Sequence, residues 1–233
     1  MTKYTFNIFK EILKVDNHFL KNKDEDNLVG LTGKEGKGKS RLGLWAIDHW
    51  FEINNIPKTS DNFKRAMGVK LIQWTKLLKV NAENKIHGYI NNFDEAGDVL
   101  SGKHAGSKIV RAVEDAYKVI RGLNSESIIT TPSLFVLSPY IRYHRVRVVW
   151  YVKKRGHCDV FFGKNLYDLM SYNERRDYKD MEAVEPNFSF EYPDYKGVFL
   201  KPYLEMKDEK MYQVLEDLHD VATEDIRKSK KKS

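Results

Sequence analysis

Eight consecutive residues carry the strongest chemical signal in the chain: Gly33-Lys34-Glu35-Gly36-Lys37-Gly38-Lys39-Ser40, a complete Gly-x-x-x-x-Gly-Lys-Ser string. Each fixed type has a physical task. Glycines reach positive φ and bring backbone N–H groups against phosphate oxygens. A helix starting at the end of the string adds free N–H groups and the positive end of its dipole. Lys39 is placed to reach the β- and γ-phosphates, and the Ser40 hydroxyl to ligate Mg²⁺. Lys34, Glu35, Gly36 and Lys37 fill the variable positions, and together with Arg41, next on the helix, they are expected to contact the nucleotide. The expected ligands are ATP and Mg²⁺.

Hydrolysis also needs a carboxylate near the metal and a second one for water. Phe93-Asp94-Glu95-Ala96-Gly97 supplies both. Asp94 would hold Mg²⁺ through water, and Glu95 would orient and polarise the attacking water. The competing reading is an acidic turn after a strand. Asn91 and Asn92 interrupt the apolar run that leads to it. The adjacent Glu95 favours hydrolysis over phosphotransfer. No guanine-selecting Asn-Lys-x-Asp follows the loop, so GTP is not the expected nucleotide.

Basic residues form a third set. Arg142, Arg145 and Arg147 are candidates for the cation that a neighbouring subunit donates to a transition state. Arg145 and Arg147 share parity and would face one side of a strand. Lys153, Lys154 and Arg155 continue them, so a basic surface strip is the rival reading. Lys103, Lys108, Arg111 and Arg121, in and after a Gly- and Lys-containing segment, could grip nucleic-acid phosphates without reading sequence. Solvated charges, with Arg111 pairing to Glu114 or Asp115, are the alternative. The tail Arg227–Lys232 has five positive charges. It either attracts a polyanion or only solubilises the chain. His157 and Cys158 lack ligand-spaced partners and read as ordinary core or loop residues.

These groups need a scaffold. The chain has 233 residues and a net charge of +7, enough for one sizeable core and a bias toward polyanionic partners. No apolar run approaches the ~18 residues of a membrane span. Met1 to Lys14 is broken by lysines and does not read as a signal peptide. A cytoplasmic setting is expected. Helical spacing marks Phe6–Leu20, Lys39–Phe51, part of Phe63–Lys79, Lys108–Arg121 and Lys207–Ile226. Strands are expected at Asn27–Thr32, Ile86–Phe93 and Ser127–Thr131. Tyr140–Lys153 and Asp159–Phe162 suggest an antiparallel hairpin at one edge. Strands alternating with helices imply a three-layer α/β fold with a mainly parallel sheet. The expected division is 1–26 for an amphipathic helix and acidic loop, 27–205 for the nucleotide domain, and 206–233 for a helix and basic tail.

The order of phosphate loop, Asp94-Glu95-Ala96-Gly97, a helix ending Arg121-Gly122-Leu123-Asn124 and a strand ending Thr130-Thr131 resembles the additional-strand ATPases of the HerA–FtsK group. Within that group it is similar to zonular occludens toxin-like and virus-packaging-like members. The similarity covers about Asn27 to Val149. It implies a RecA-like P-loop fold, ATP hydrolysis coupled to DNA translocation, packaging or export, and a homo-oligomeric ring. Carried over by position, it implies that Lys39 and Ser40 bind phosphate and metal, Asp94 supports the metal, and Glu95 is the catalytic carboxylate. Thr131 stands where the family usually has a polar sensor, most often Gln. An ordinary strand-end role before Pro132 is equally open. The rival functions are an assembly or secretion ATPase with a protein or peripheral membrane cargo, and a nucleotide-gated binding module.

Overall fold

A computed structural model of the chain describes residues 3–4, 6–23, 26–98, 100, 108–174, 176 and 179–230. Its elements are β1 (Lys3–Tyr4), α1 (Asn7–Lys23), β2 (Asn27–Thr32), α2 (Lys39–Ile53), α3 (Ser60–Lys64), β3 (Met67–Gly68), α4 (Leu71–Glu83) and β4 (Ile90–Phe93). They continue with α5 (Lys108–Val119), β5 (Glu126–Thr131), β6 (Val148–Lys154), β7 (His157–Phe162), α6 (Gly163–Glu174), β8 (Phe188–Glu191) and α7 (Leu200–Lys230).

β2, β4 and β5 are short and uncharged except for Glu126, as strands covered on both faces must be. β2 pairs with β5 in unbroken parallel register, from Asn27 opposite Glu126 to Thr32 opposite Thr131. Alternation along β2 sends Val29 and Leu31 into one core and Leu28 into the other. The first core lies under α1 and α2 and holds Phe9, Trp50, Phe51, Trp150, Phe190 and Phe199. The second holds Trp74, Phe93, Tyr117, Ile129, Phe161 and Leu169, from α4, α5, α6 and the strands. Helices on both faces of one sheet give the three expected layers.

Among the described residues the sheet has eight strands in the order β1-β8-β7-β6-β2-β5-β4-β3. β5 stands between β2, which leads into the phosphate loop, and β4, which leads into Asp94. This is the additional strand that the resemblance implied. All pairs from β6 to β3 are parallel. β6 and β7 form the expected antiparallel hairpin, with Val148 opposite Phe162 and Val152 opposite Cys158. That side of the sheet is two strands wider than the hairpin, because β8 and then β1 add to β7.

Several boundaries differ from the sequence reading. The Phe63–Lys79 stretch divides into α3, β3 and α4. Gly68 makes this possible, since a Cβ there would sit 2.9 Å from the Trp74 backbone nitrogen. β4 starts at Ile90, after Gly88 turns at φ 67. Tyr140–Lys153 is not one strand. Ile141–Arg145 is a π-helical turn, and pairing begins only where the Arg147 N–H meets the Leu28 carbonyl. α7 starts at Leu200, with Pro202 in its first turn, where a missing N–H costs nothing. Beyond Lys210 it leaves the core and exposes Met211, Leu215 and Leu218. Among the described residues no helix is long and apolar enough to cross a membrane. Lys103, two acids of the first loop (Asp24 and Glu25) and the last two lysines of the tail lie outside the described residues. Only the backbone of Arg121 is described.

Candidate active site

β2 delivers the chain into the glycine-rich turn, and α2 takes it away. Gly33, Gly36 and Gly38 all have positive φ, of 143, 72 and 97°. At Gly33 a Cβ would also lie 2.4 Å from the Val152 carbonyl oxygen, so the close approach of β6 and the backbone angle both demand glycine. Gly38 is the residue before the first turn of α2 and has no side chain to cap it. The first N–H groups of α2 therefore face the loop.

Lys39 turns back over this turn. Its Nζ donates to the Gly33 carbonyl at 2.6 Å and the Lys34 carbonyl at 3.1 Å. Burial holds its pKa below the usual lysine range, against the opposing pull of Asp94, Glu35 and Glu95. Lys34, Glu35 and Gly36 are exposed, and Lys37 is half-buried. Arg41 departs from the expectation of a phosphate contact. Its guanidinium donates to the Tyr195 carbonyl at 2.9 Å and lies 3.8 Å from Asp194, so it ties α2 to the segment before α7.

β4 brings the acids to the same end of the sheet. Asp94 is 1% exposed, and its N–H donates to the Gly68 carbonyl. The Ser40 hydroxyl donates to its two carboxylate oxygens at 3.3 and 3.2 Å. Glu95 has φ 60, an unusual value for a residue with a side chain. Such strain persists only where the surroundings impose it.

α7 contributes three residues that sequence reasoning missed. The Tyr203 hydroxyl donates to Asp94 Oδ2 at 2.8 Å. Lys207 pairs with Glu95 and lies 3.5 Å from Asp94 Oδ2. Lys210 pairs with the other Glu95 oxygen. Positions 203, 207 and 210 share one helix face, a spacing visible in the sequence. Nothing local tied that face to Asp94, which is 109 residues away from Tyr203.

These contacts set the charges. Burial pushes the Glu95 carboxyl up, but Lys207 and Lys210 outweigh it and hold the group below the ordinary range. Lys207 is shifted the other way. Burial opposes its charge, and Asp94 and Glu95 together raise it. The Tyr203 hydroxyl is pushed up by burial and by Asp94. Glu95 is therefore ionised and Lys207 protonated near neutral pH.

The groups enclose a cleft of about 490 Å³, lined by Lys39, Ser40, Asp94, Glu95, Thr131 and Lys207 among others. Thr131 is thus brought to the site, at the end of β5, with its hydroxyl donating to the Ser133 carbonyl at 3.1 Å. A groove of similar volume between α4 and α7 is lined by Leu77, Val80 and Met206 with scattered charges, and lacks a phosphate cradle.

The arginines lie elsewhere. Arg142 donates to the Phe135 carbonyl and stacks on the Phe135 and Tyr143 rings. Arg145 pairs with buried Asp26, next to the start of β2 and so at the opposite end of the sheet from Gly33. Arg145 and Arg147 flank the end of a π-helical turn and do not share a strand face. Neither Arg142 nor Arg145 lines the cleft of its own chain. Lys108 and Arg111 are exposed on α5. Cys158 is buried in β7, its thiol pushed up by burial, and the His157 ring lies 3.0 Å from Asp159.

The donor set fits a magnesium-bound triphosphate. Ser40 and Asp94 offer only hard oxygen ligands. Mg²⁺ typically takes one or two protein oxygens and completes its shell with phosphate oxygens and water. Among the described residues no group of three His, Cys, Asp or Glu is placed to hold a metal without such help.

No family model and no curated protein matches the sequence. Solved structures with a similar fold include the HORMA:CdnC:Trip13 complex of E. coli MS115-1, at 17% identity and TM-score 0.43 over 60% of this chain. The chain spans 60% of the length of that structure's matched chain. The N-terminal domain of zonular occludens toxin from Neisseria meningitidis is 19% identical, with TM-score 0.45, over 75% of this chain and 97% of that one. PCH-2 of C. elegans is 14% identical, with TM-score 0.39, over 78% of this chain and 55% of that one. The sheet order, the inserted strand and the loop between β2 and α2 make this a P-loop NTPase-like fold.

Proposed function

We propose that the chain is a Mg²⁺-dependent ATPase. The observation that carries this reading is the meeting of Ser40 and Asp94, 54 residues apart in sequence, at 3.2 Å beside the phosphate loop, with ionised Glu95 next to them. The backbone N–H groups of Gly33–Ser40 and the Lys39 ammonium bind the phosphates. Ser40 and Asp94 hold Mg²⁺, which when bound neutralises charge on the phosphate oxygens. Glu95 orients water at the terminal phosphate and accepts its proton. Thr131, at the cleft wall, positions that water or the phosphate.

The work we assign to hydrolysis is movement of DNA, in a ring of copies. The net charge of +7 and the exposed Lys108 and Arg111 suit sequence-independent phosphate contacts. A protein cargo is the second reading, favoured by the exposed apolar row Met211, Leu215 and Leu218 on α7. Steady-state hydrolysis with Mg²⁺, with and without duplex DNA, separates them. Stimulation by DNA, lost in Lys39→Ala and Glu95→Gln, supports the DNA motor. Hydrolysis indifferent to DNA moves the cargo to protein. Bound ATP that is never hydrolysed sinks the enzyme reading and leaves a nucleotide-gated module.

A further inference from the structure

Within the nucleotide reading, on which this inference rests, one charge is unaccounted for. Among the described residues two cations line the cleft directly, Lys39 and Lys207. Lys39 is the expected one. Lys207 comes from α7, and its side chain is only 26% exposed. It touches both acids of the site, Glu95 directly and Asp94 at 3.5 Å. Glu95 has a second cation of its own in Lys210, which makes no contact with Asp94 among the described residues.

A triphosphate with one Mg²⁺ brings net negative charge into this cleft, and Asp94 is the carboxylate that the metal would claim together with Ser40. Lys207 then shares Asp94 with a divalent ion and Glu95 with Lys210. A half-buried ammonium does not stay next to a metal when an anion stands within reach of its four-carbon stem. The terminal phosphate is that anion. Among the described residues Arg142 is held on Phe135 and Arg145 on Asp26, so neither of these two supplies the charge from within the chain.

We infer that Lys207 is a residue of the nucleotide site supplied by the same chain, pairing with Asp94 and Glu95 when the cleft is empty and with the terminal phosphate when a triphosphate is bound. It makes the site selective for triphosphate over diphosphate. Lys210 remains paired with Glu95.

The experiment measures the affinity of fluorescent adenosine triphosphate and diphosphate analogues, with Mg²⁺, for wild type, Lys207→Met, Lys207→Gln and Lys207→Arg. A lost charge-assisted contact weakens binding by about 10- to 100-fold. The expected result is that loss in Lys207→Met for the triphosphate, with the diphosphate changed by less than about 3-fold on the same scale. Lys207→Arg, which keeps the charge, restores most of the preference. Equal weakening of both nucleotides, or a tighter triphosphate in Lys207→Met, overturns the inference; the tighter value would make Lys207 a stopper that competes for Asp94. Failure of wild type to bind either nucleotide fails the nucleotide reading itself. Thermal unfolding of each variant identifies one that does not fold, and Lys207→Gln, which removes the charge and keeps a polar end, then decides in place of Lys207→Met.

Discussion

Asn91 and Asn92 stand where a central parallel strand ordinarily carries Val or Ile, and both are buried. Asn91 uses both ends of its amide and Asn92 its carbonyl oxygen, while Asn92 Nδ2 is buried without a hydrogen-bond partner among the described residues. The Trp74 indole N–H donates to Asn91 Oδ1 at 3.3 Å, and Asn91 Nδ2 donates to the Ser127 hydroxyl at 3.0 Å. The Thr130 hydroxyl donates to Asn92 Oδ1 at 3.2 Å. These bonds stitch β4 to β5 and α4 immediately before Asp94, so the acid is carried on a strand fixed from two sides. The opposite face of β4 meets α2 at Gly43, where a Cβ would lie 2.4 Å from Asn92 Nδ2. Gly43→Ala is therefore a test of that packing. In an open helix the change would stabilise by about 1 kcal/mol. Here overpacking of about 1–3 kcal/mol opposes it. The expected outcome is a net loss of up to about 2 kcal/mol in urea unfolding, and a gain would show that Asn92 yields freely.

At the scale of elements, α1 lays Asp16 against the start of β5, where Glu126 is fully buried and accepts from Asn27 Nδ2 at 3.1 and 3.2 Å. Burial raises the Glu126 carboxyl well above its usual range, and Asp16 adds to it; burial also pushes Asp16 up to about 6. A carboxyl raised in the folded state binds protons more tightly there than when unfolded. Its stabilising effect is complete below the ordinary value of about 4 and is lost as pH rises through 6. Wild type should accordingly lose stability from this pair as pH rises above about 4, through the value of about 6 for Asp16. Asp16→Asn should flatten that decline and raise stability at pH 8 by about 1–3 kcal/mol. Denaturant midpoints at pH 4, 6 and 8 check it; a parallel decline in the variant would refute the assignment. This pair also marks where the sequence stops being informative. The phosphate loop, β2 and β5 are written in local patterns, and the structure has them within a residue or so of their expected bounds. The closeness of Asp16 to Glu126, and of Tyr203, Lys207 and Lys210 to the acids, is set by packing across a hundred residues or more. The Ile141–Arg145 turn was hidden for a different reason. Its Ile and Tyr favour strand by type, yet the Arg142 N–H bond to the Ser138 carbonyl holds it helical.

Across the whole molecule, the candidate site joins elements that no single core holds together. Lys39 and Ser40 belong to α2, Asp94 and Glu95 follow β4, Thr131 ends β5, and Tyr203 and Lys207 come from α7. A ligand that touches all of them binds the folded chain and has no counterpart in the unfolded one. At a free concentration 100 times its Kd, such a ligand adds about 2.7 kcal/mol to unfolding. For a chain of this size each kcal/mol moves Tm by about 2–4 °C. MgATP should thus raise Tm by about 5–10 °C, and Lys39→Ala should abolish the shift while itself unfolding within about 2 °C of wild type, since its partners are loop carbonyls at the surface end of the cleft. The part of α7 beyond Lys210 sets the limit of this coupling. Its described apolar residues, Met211 to Val221, are exposed and make no core, so hydrogen exchange should slow on MgATP binding across 200–210 and stay fast across 212–221. Protection spreading over the distal half as well would mean that this half docks when the site is filled. The nucleotide would then control a surface far from the phosphates.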